Sequence, residues 1–174
     1  MSGRYKAVPT GTIANGKPVI VNSTGTVSAS FVAASAGSPA TFESANITHS
    51  DTVYDTNSDR VVIVYGDEGN SGKGTAIVGT VSGTSLSFGT AVVFEEGDVT
   101  VHDSSNTIRA CFDSSNNKIV IAFIDGGDSN YAKAIVGNVD PSDNSITFGT
   151  AVQYGDNGVA GSETCAFDSN SNKV

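Results

Sequence analysis

The sequence predicts an all-β protein in which an N-terminal extended or hairpin anchor precedes tandem four-stranded antiparallel β repeats of the propeller-blade type. The chain of 174 residues repeats itself at a period of about 58 residues. Its composition, with 20 Gly, no Trp and 38% hydrophobic residues, disfavours a helical core. Short apolar runs alternate with Gly, Asn and Ser turns, which is typical of β-strands joined by hairpins.

Residues 1–36 lack the repeat and are predicted to form a separate extended or hairpin segment. The apolar run Val19-Ile20-Val21 lies between the turn signals Asn15-Gly16 and Ser23-Thr24-Gly25, and Pro18 is expected at a strand edge. A β segment of this size is not stable alone in water. It is therefore predicted to pack on the repeats, on sister chains or on a larger assembly, as an anchoring or oligomerisation segment.

Residues 37–174 are predicted to hold the repeats. Tyr54-Asp55 recurs as Phe112-Asp113 and as Phe167-Asp168, and each pair opens a polar turn. Arrays with such periods consist of supersecondary units that bury their faces on one another. The predicted parts are a remnant closing strand at 38–44, unit 1 at about 50–95, unit 2 at about 108–155 and a partial unit 3 from 163.

Each complete unit is predicted to contain four strands. The first strand ends at the aromatic-Asp pair, and the second runs from the Asp turn to Asp67 or Asp125. The remnant Ala40–Glu43 matches Val92–Glu95 and is predicted to be the closing strand of an incomplete unit. The third and fourth strands are predicted at Thr75–Gly79 and Ser87–Val92 in unit 1, and at Lys133–Gly137 and Thr147–Val152 in unit 2.

Stacked or sandwiched sheets are the main alternative to a propeller. A propeller needs roughly four to eight blades to close, whereas this sequence holds two units and a fragment. Either the chain is the N-terminal part of a longer polypeptide, or several chains complete one another's sheets in a homo-oligomer. The stop at Val174, one residue into a predicted strand, favours the longer polypeptide, because self-sufficient proteins avoid exposed strand edges.

The charge and hydropathy of the chain exclude several classes of partner. A net charge of -9 without a basic cluster repels phosphate backbones and anionic lipid, so no nucleic-acid partner is expected. The N-terminus lacks the apolar run of a secretory signal, and no stretch approaches the roughly 20 apolar residues of a membrane span. A soluble protein made in the cytoplasm, without membrane insertion, is therefore expected.

Two cysteines occupy nearly equivalent places in successive repeats. Cys111 lies two residues before its repeat Asp and Cys165 lies three residues before, an offset that predicts opposite strand faces. A disulfide between them is disfavoured, and small apolar side chains packed in the core are expected instead.

The first Asp turn is the candidate metal site. Asp55, Asn57 and Asp59 place oxygen atoms at alternate positions, as calcium-binding loops do, but the Gly and Glu that complete an EF-hand loop are missing. Asp and Asn in a strand-to-strand turn are explained more simply by side chains that accept hydrogen bonds from backbone amides. No cofactor is therefore predicted. The turn recurs in weaker form at Asp113, Ser115 and Asn117, and at Asp168, Asn170 and Asn172.

Other chemical groups do not form a catalytic pattern, and no catalytic residue is assigned. Asp67 and Asp125 follow equivalent strands and could line a sugar site, but repeat-related acids are expected on neighbouring units. His49 and His102 are not equivalent and predict exposed loop residues. The loop Gly69–Gly74 lacks the Gly-Lys-Ser/Thr ending of a phosphate loop and is predicted to be a hairpin. The chain is therefore expected not to be an enzyme.

Aromatic residues at matched positions of the repeats are predicted to form the core. A sugar-stacking platform would require exposed Trp or Tyr, and Trp is absent. The matched residues are Tyr54, Tyr65, Phe88, Phe94, Phe112, Phe123, Phe148, Tyr154 and Phe167.

The unit Phe-Asp, polar turn, Ile-Val-Ile-Ala-Phe, Asp, then Ala-Ile-Val-Gly and Phe-Gly-Thr-Ala-Val, resembles β-propeller-type tandem repeats in virion structural proteins of marine tailed bacteriophages. Residues 11–28 resemble the leader that often precedes such repeats. The resemblance implies a tail fibre, knob or capsid decoration whose N-terminus binds other virion proteins. It also implies synthesis in the host cytoplasm, location in the virion and attachment to a host-surface glycan or protein. No functional residue is carried over.

Two other functions stay open from the sequence. One is a free carbohydrate-binding or adhesive β protein, with calcium as a potential requirement. The other is a propeller glycosidase that uses the acids at strand ends.

Overall fold

The structure is a computed structural model that describes residues 8–9, 12, 19–29, 36–100, 108–155 and 164–174. Within these ranges the chain folds into β-strands and two short 3-10 helices, without an α-helix. The predicted all-β class is therefore confirmed. The chain divides into two compact units, Met1–Gly37 and Ser38–Val174.

The unit Met1–Gly37 contains a small mixed sheet. Its order is β1-β3-β2, in which β2 and β3 are antiparallel and β1 pairs with β3 in parallel. The strands are β1 (Val8–Pro9), β2 (Val19–Val21) and β3 (Thr26–Ala29).

A tight turn connects β2 and β3. The Gly25 amide donates to the Asn22 carbonyl at 2.9 Å, and Gly25 has a φ of 76°, which favours glycine. The turn predicted at Ser23-Thr24-Gly25 is confirmed. The turn predicted at Asn15-Gly16 and the strand edge predicted at Pro18 lie outside the described residues.

The unit Ser38–Val174 contains two larger antiparallel sheets with the same strand order. In the proximal sheet the order is β4-β5-β6-β7, and β8 also pairs with β6. In the distal sheet the order is β9-β10-β11-β12, and β13 also pairs with β11. The proximal strands are β4 (Ile47–Asp55), β5 (Arg60–Asp67), β6 (Lys73–Ser82), β7 (Ser85–Phe88) and β8 (Val92–Asp98). The distal strands are β9 (Ile108–Asp113), β10 (Lys118–Asp125), β11 (Tyr131–Asp140), β12 (Ser145–Phe148) and β13 (Val152–Gln153).

The fourth strand of each unit was predicted as continuous, and this is wrong. The ladder along β6 breaks between β7 and β8, where the Gly89 amide donates to the Val78 carbonyl at 2.9 Å. A Cβ on Gly89 would lie 2.1 Å from the Asn144 carbonyl oxygen, so the chain leaves the sheet where the distal sheet approaches most closely. The same break separates β12 from β13 at Gly149.

The two sheets share one hydrophobic core between them. Alternate residues of β5 and β6 contribute from the proximal sheet, and alternate residues of β10 contribute from the distal sheet. The buried cluster consists of Val62, Val64, Ala76, Val78, Phe94 and Val99, together with Ile108, Ile119, Ile121, Phe123, Ile135 and Ile146.

Burial of equivalent residues shows which faces the sheets cover. Val62 pairs with Val78 in the proximal sheet as Val120 pairs with Val136 in the distal sheet. Val78 is 0% exposed, whereas Val136 is 47% exposed. The distal sheet covers one face of the proximal sheet. The equivalent face of the distal sheet, which we call its open face, is exposed at Val136 but buried at Ala122 and Ile124 within the part of the chain that the structure describes.

The closing strand predicted at 38–44 is wrong, because residues 36–46 contain no strand. Phe42 nevertheless packs edge-on against Tyr65 and Phe88, with centroid distances of 5.3 and 5.8 Å. Phe94 packs in nearly the same way on the distal sheet, at 5.3 Å from Phe123 and 5.7 Å from Phe148. We call these two clusters the aromatic joints.

The segment around Phe42 forms no strand because its backbone has no strand to pair with among the described residues. β8 pairs with β6 of its own sheet, whereas no described strand stands in that relation to the segment around Phe42. The side chain of Phe42 packs on the proximal sheet although its backbone pairs with no strand. Backbone approaches next to Phe42 and next to Phe94 are also similar. A Cβ on Gly69 would lie 2.5 Å from the Ala45 Cβ, and a Cβ on Gly127 would lie 2.9 Å from the Gly97 Cα.

The first strand predicted for the partial unit 3 is also wrong. Residues 164–167 pair with no strand, and position 163 lies outside the described residues. The turn that follows does form, because the Asp168 amide donates to the Lys173 carbonyl at 2.8 Å. An isolated bridge between Asp168 and Lys173 is the result.

Candidate functional site

The Asp turn at the end of β4 is a compact hydrogen-bonded structure. Asp55 is 3% exposed, and its Oδ1 accepts from the amides of Asn57 and Ser58 at 2.9 and 3.1 Å. Its Oδ2 accepts from the Ser58 hydroxyl at 2.7 Å. Asp59 follows with a φ of 59° and accepts a hydrogen bond from the Tyr54 hydroxyl, which raises the pKa of Tyr54.

The two later turns repeat this geometry. Asp113 Oδ1 accepts from the amides of Ser115 and Asn116 at 2.9 and 3.0 Å, and Oδ2 accepts from the Asn116 side chain at 2.8 Å. Asp168 accepts from the Asn170 amide at 2.9 Å and the Ser171 hydroxyl at 2.8 Å. The side-chain hydrogen bonds, reinforced by the backbone amides, lower the pKa of both carboxyl groups.

The predicted calcium ligands Asp55, Asn57 and Asp59 therefore lie in one turn whose leading carboxylate is engaged by protein donors. Among the described residues, no group of three or more His, Cys, Asp or Glu side chains is arranged to hold a metal ion. The last residue of each turn has a positive φ, at Asp59, Asn117 and Asn172, which Asp and Asn tolerate. Turn geometry accounts for this composition.

Polar side chains also tie neighbouring elements together. Arg60 Nε donates to Asn144 Oδ1 at 2.6 Å, and an Arg60 Nη donates to the Pro141 carbonyl at 2.7 Å. These bonds join the proximal sheet to the β11–β12 turn. Between the second and third turns, the Ser115 hydroxyl donates to Asn172 Oδ1 at 2.6 Å. Turn residues thus join segments of the described chain that are distant in sequence.

The acids at the ends of the second strands have structural partners. Asp67 accepts from the Asn70 amide at 3.2 Å and caps a 3-10 turn. Asp125 accepts from the Gly127 amide at 2.9 Å and forms an ion pair of 2.7 Å with Lys133. Asp67 and Asp125 therefore both accept hydrogen bonds from neighbouring protein groups, and their partners differ.

Lys133 is the cation that the sequence analysis missed. Its ammonium group also lies 2.7 Å from Asp128, and hydrogen bonds to the two carboxylates raise its pKa. The equivalent residue of the proximal sheet, Thr75, carries no charge. Lys133 lies eight residues after Asp125 across a β-hairpin, a spacing that could have indicated the pair.

The open face of the distal sheet forms an apolar groove of about 730 Å³. Val120, Ala122, Ala132 and Ala134 line it from β10 and β11. The other lining residues are Tyr154, Gly155, Thr164, Cys165, Ala166 and Val174. The groove could not be predicted from the sequence, because the small apolar side chains that line it are common in β-strands. The lining suits apolar side chains better than a polar sugar.

His49 and the glycine-rich loop are two further candidates from the sequence. His49 lies in β4 at an irregular step of the β4–β5 ladder, has a φ of 47° and is half-buried, so the prediction of an exposed loop residue is wrong for it. His102 lies outside the described residues. The loop Gly69–Gly74 joins β5 to β6 and includes the end of a 3-10 turn, so the predicted hairpin is confirmed.

The prediction that the cysteines lie on opposite strand faces is wrong, because Cys165 belongs to no strand and both cysteines adjoin Val120. Cys111 lies on β9 opposite Val120, and Cys165 Sγ donates to the Val120 carbonyl at 3.8 Å. The prediction assumed that residues 164–167 form a strand in register with the earlier repeats. They do not, so alternation along a strand does not apply to Cys165. Both cysteines are free thiols.

Tyr65 carries a buried hydroxyl without a hydrogen-bond partner at bonding distance. Burial raises its pKa to about 12, and the nearby negative charge of Glu43 acts in the same direction. The ring belongs to the first aromatic joint and the equivalent residue of the second joint is Phe123, so the hydroxyl is not required for packing there.

Among the described residues, no helix has the length and apolar character needed to cross a membrane. Comparisons with protein-family models, with curated proteins and with solved structures find no match.

Proposed function

We propose that the chain is a non-enzymatic structural protein of a bacteriophage virion. In this proposal residues 1–36 attach it to the tail or capsid, and the β sheets project as a fibre, knob or decoration that meets the host surface. Assembly follows synthesis in the host cytoplasm. The observation that carries the proposal is the recurrence of the aromatic joint at Phe42 and Phe94.

Recurrent packing between successive sheets supports a modular array. Phe42 meets the proximal sheet and Phe94 meets the distal sheet with matching partners and ring separations. In this proposal the proximal and distal sheets are tandem units of the propeller-blade type, each buried by its neighbour. Such arrays provide rigid, extensible surfaces rather than a single reaction centre.

The chemistry of the described residues also favours a structural role. The leading acids of the Asp turns accept hydrogen bonds from their own turns, and Asp125 is held by Lys133. A net charge of -9 supports solubility and opposes nucleic-acid binding.

Strand β2 supports the assignment of residues 1–36 as the attachment segment. Val19, Ile20 and Val21 are 46, 52 and 69% exposed, so apolar side chains of this strand are exposed on both faces. A short sheet with such a strand gains stability by packing on another protein. We assign this partner to another virion protein.

The experiment measures incorporation into particles. A variant lacking residues 1–36 is expected to be absent from purified virions, while the soluble protein keeps its β-sheet circular dichroism. Ile20→Asp is expected to reduce the copy number strongly. The matched control Val81→Asp changes an apolar residue with 57% exposure on β6 and is expected to leave the copy number unchanged. Normal incorporation of the truncated protein would refute the attachment role.

The outward faces of the two sheets favour a homo-oligomer. The distal sheet exposes Val136, and the opposite face of the proximal sheet leaves Ile63 only partly buried, whereas its counterpart Ile121 is fully buried. Each face that packs inside the chain thus has a counterpart that is partly exposed, at Val136 and at Ile63, while Tyr65 and Ile77 beside Ile63 are buried. Sedimentation equilibrium should show self-association that Val136→Lys weakens, and a concentration-independent monomer would contradict it.

A further inference from the structure

Cys111 and Cys165 form a thiol pair that joins two parts of the chain distant in sequence. Cys111 is 8% exposed on β9, and Cys165 is half-buried in the irregular segment 164–167. Cys111 is the cross-strand partner of Val120, and Cys165 Sγ lies 3.8 Å from the Val120 carbonyl oxygen, so both cysteines adjoin the same residue of β10. The pair therefore has a defined place in the fold, and Cys165 lines the apolar groove.

We propose that Cys111 and Cys165 are a dithiol modification site that peroxides or small-molecule disulfides oxidise to an intramolecular disulfide. The bond would form between cysteines that adjoin the same residue of β10, and the irregular segment 164–167, rather than β9, would adjust to it. It would tie residues 164–174 to the distal sheet and close a long loop between residues 111 and 165. The third Asp turn and one wall of the groove would then be held covalently.

The two thiols have different roles in this oxidation. The interaction between the two thiols lowers the pKa of Cys165 and raises that of Cys111, because the Cys111 thiol stabilises the Cys165 thiolate. The carboxylate of Asp51 opposes ionisation of both thiols, and Asp113 opposes ionisation of Cys111. Cys165 is also the more exposed sulfur, so it is the attacking group.

The reaction with a peroxide balances in two steps. The Cys165 thiolate attacks one peroxide oxygen, the O–O bond breaks, and Cys165 becomes a sulfenic acid as hydroxide takes up a proton to leave as water. Cys111 then attacks the Cys165 sulfur, the S–O bond breaks, and a second water carries away the remaining oxygen and the Cys111 proton. Two electrons pass from the thiols to the peroxide. With a small-molecule disulfide, two exchange steps transfer the same electrons.

The test uses the whole chain, reduced and then treated with hydrogen peroxide or oxidised glutathione. The expected product is a monomer that has lost two hydrogen atoms, has no titratable thiol and gives a linked peptide containing Cys111 and Cys165. Its melting temperature is expected to rise by about 5–15 °C and to fall back on reduction. Sulfinic acid on Cys165 without a crosslink, or only intermolecular crosslinks, would overturn the proposal.

A second probe tests proximity without oxidation. Phenylarsine oxide is expected to bind the reduced chain at one equivalent and to protect both thiols from alkylation. Cys111→Ser and Cys165→Ser should each lose tight arsenical binding and form no intramolecular crosslink. If the wild-type chain fails to retain the arsenical while both thiols react with an ordinary alkylating reagent, the sulfurs are not adjacent and the inference fails.

Discussion

The burial difference between Val78 and Val136 gives a sharp test of how the two sheets pack. The residues are equivalent in their strands, but Val78 is 0% exposed and Val136 is 47% exposed. Val→Ala removes two methyl-sized groups, worth about 0.8 kcal/mol each when fully buried. With a cavity contribution added, Val78→Ala is expected to cost about 2–3 kcal/mol.

Val136→Ala is expected to cost below about 1 kcal/mol, because half of the side chain already contacts water and no closed cavity forms. The loss of β-propensity is common to both substitutions and cancels in the comparison. Urea unfolding followed by circular dichroism at low protein concentration measures both free energies of unfolding, with equal m-values as the check of two-state behaviour. Equal costs for the two variants would refute the packing of the distal sheet over this proximal face.

Three further predictions concern the joints, the turns and the buried ion pair. Phe94→Ala is expected to lower the free energy of unfolding by about 3–5 kcal/mol, and Phe42→Ala by roughly half of that, because Phe42 is less buried. Urea unfolding measures both losses, and equal losses would contradict the difference in burial. The Asp113 carboxyl has a lowered pKa when folded, so its contribution to stability is present above its unfolded pKa of about 3.9 and is lost as pH falls through the folded value. In Asp113→Asn the melting temperature should therefore fall less steeply as the pH is lowered than in the wild type. An unchanged pH dependence would contradict the hydrogen bonds of this turn. Lys133→Met leaves the Asp125 carboxylate, whose side chain is 5% exposed, without its cation. It is expected to lower the free energy of unfolding by about 2–4 kcal/mol, as measured by urea unfolding. Lys133→Arg keeps the charge and is expected to restore the stability.

Calcium provides the test of the alternative adhesive function. The Asp turns are closed by protein donors, so the melting temperature is expected to stay unchanged when a chelator is added. A fall of several degrees, reversed by excess Ca²⁺, would show that a cation stabilises the chain and would favour the calcium-dependent alternative.

The strands predicted best from the sequence are those with local signals at both ends. β5 and β10 begin after an Asp turn and end at Asp67 and Asp125, and both are found there. Binary pattern and turn chemistry suffice for these elements, because hairpin pairing is local. The break at Gly89 was missed since its cause is the approach of Asn144 from the other sheet, a contact between residues far apart in sequence.

The candidate sites show the same division between local and long-range causes. The hydrogen-bonded turn at Asp55 followed from residue types alone, because side chain and amide belong to the same few residues. The placement of both Cys111 and Cys165 beside Val120 did not, because it depends on a segment around Cys165 that forms no strand. Strand alternation is a valid guide only where a ladder exists to enforce it.

The segments around Phe42 and Phe94 differ in backbone pairing but share the same aromatic packing. Around Phe94 the chain pairs with β6 and also packs on the next sheet, whereas around Phe42 only the packing is present. Packing on the following sheet is therefore independent of pairing within the preceding one. Side chains alone hold Phe42 against the proximal sheet. The ring separations are equal, at 5.3 Å from Phe42 to Tyr65 and from Phe94 to Phe123, so the aromatic contact keeps its geometry with or without the ladder.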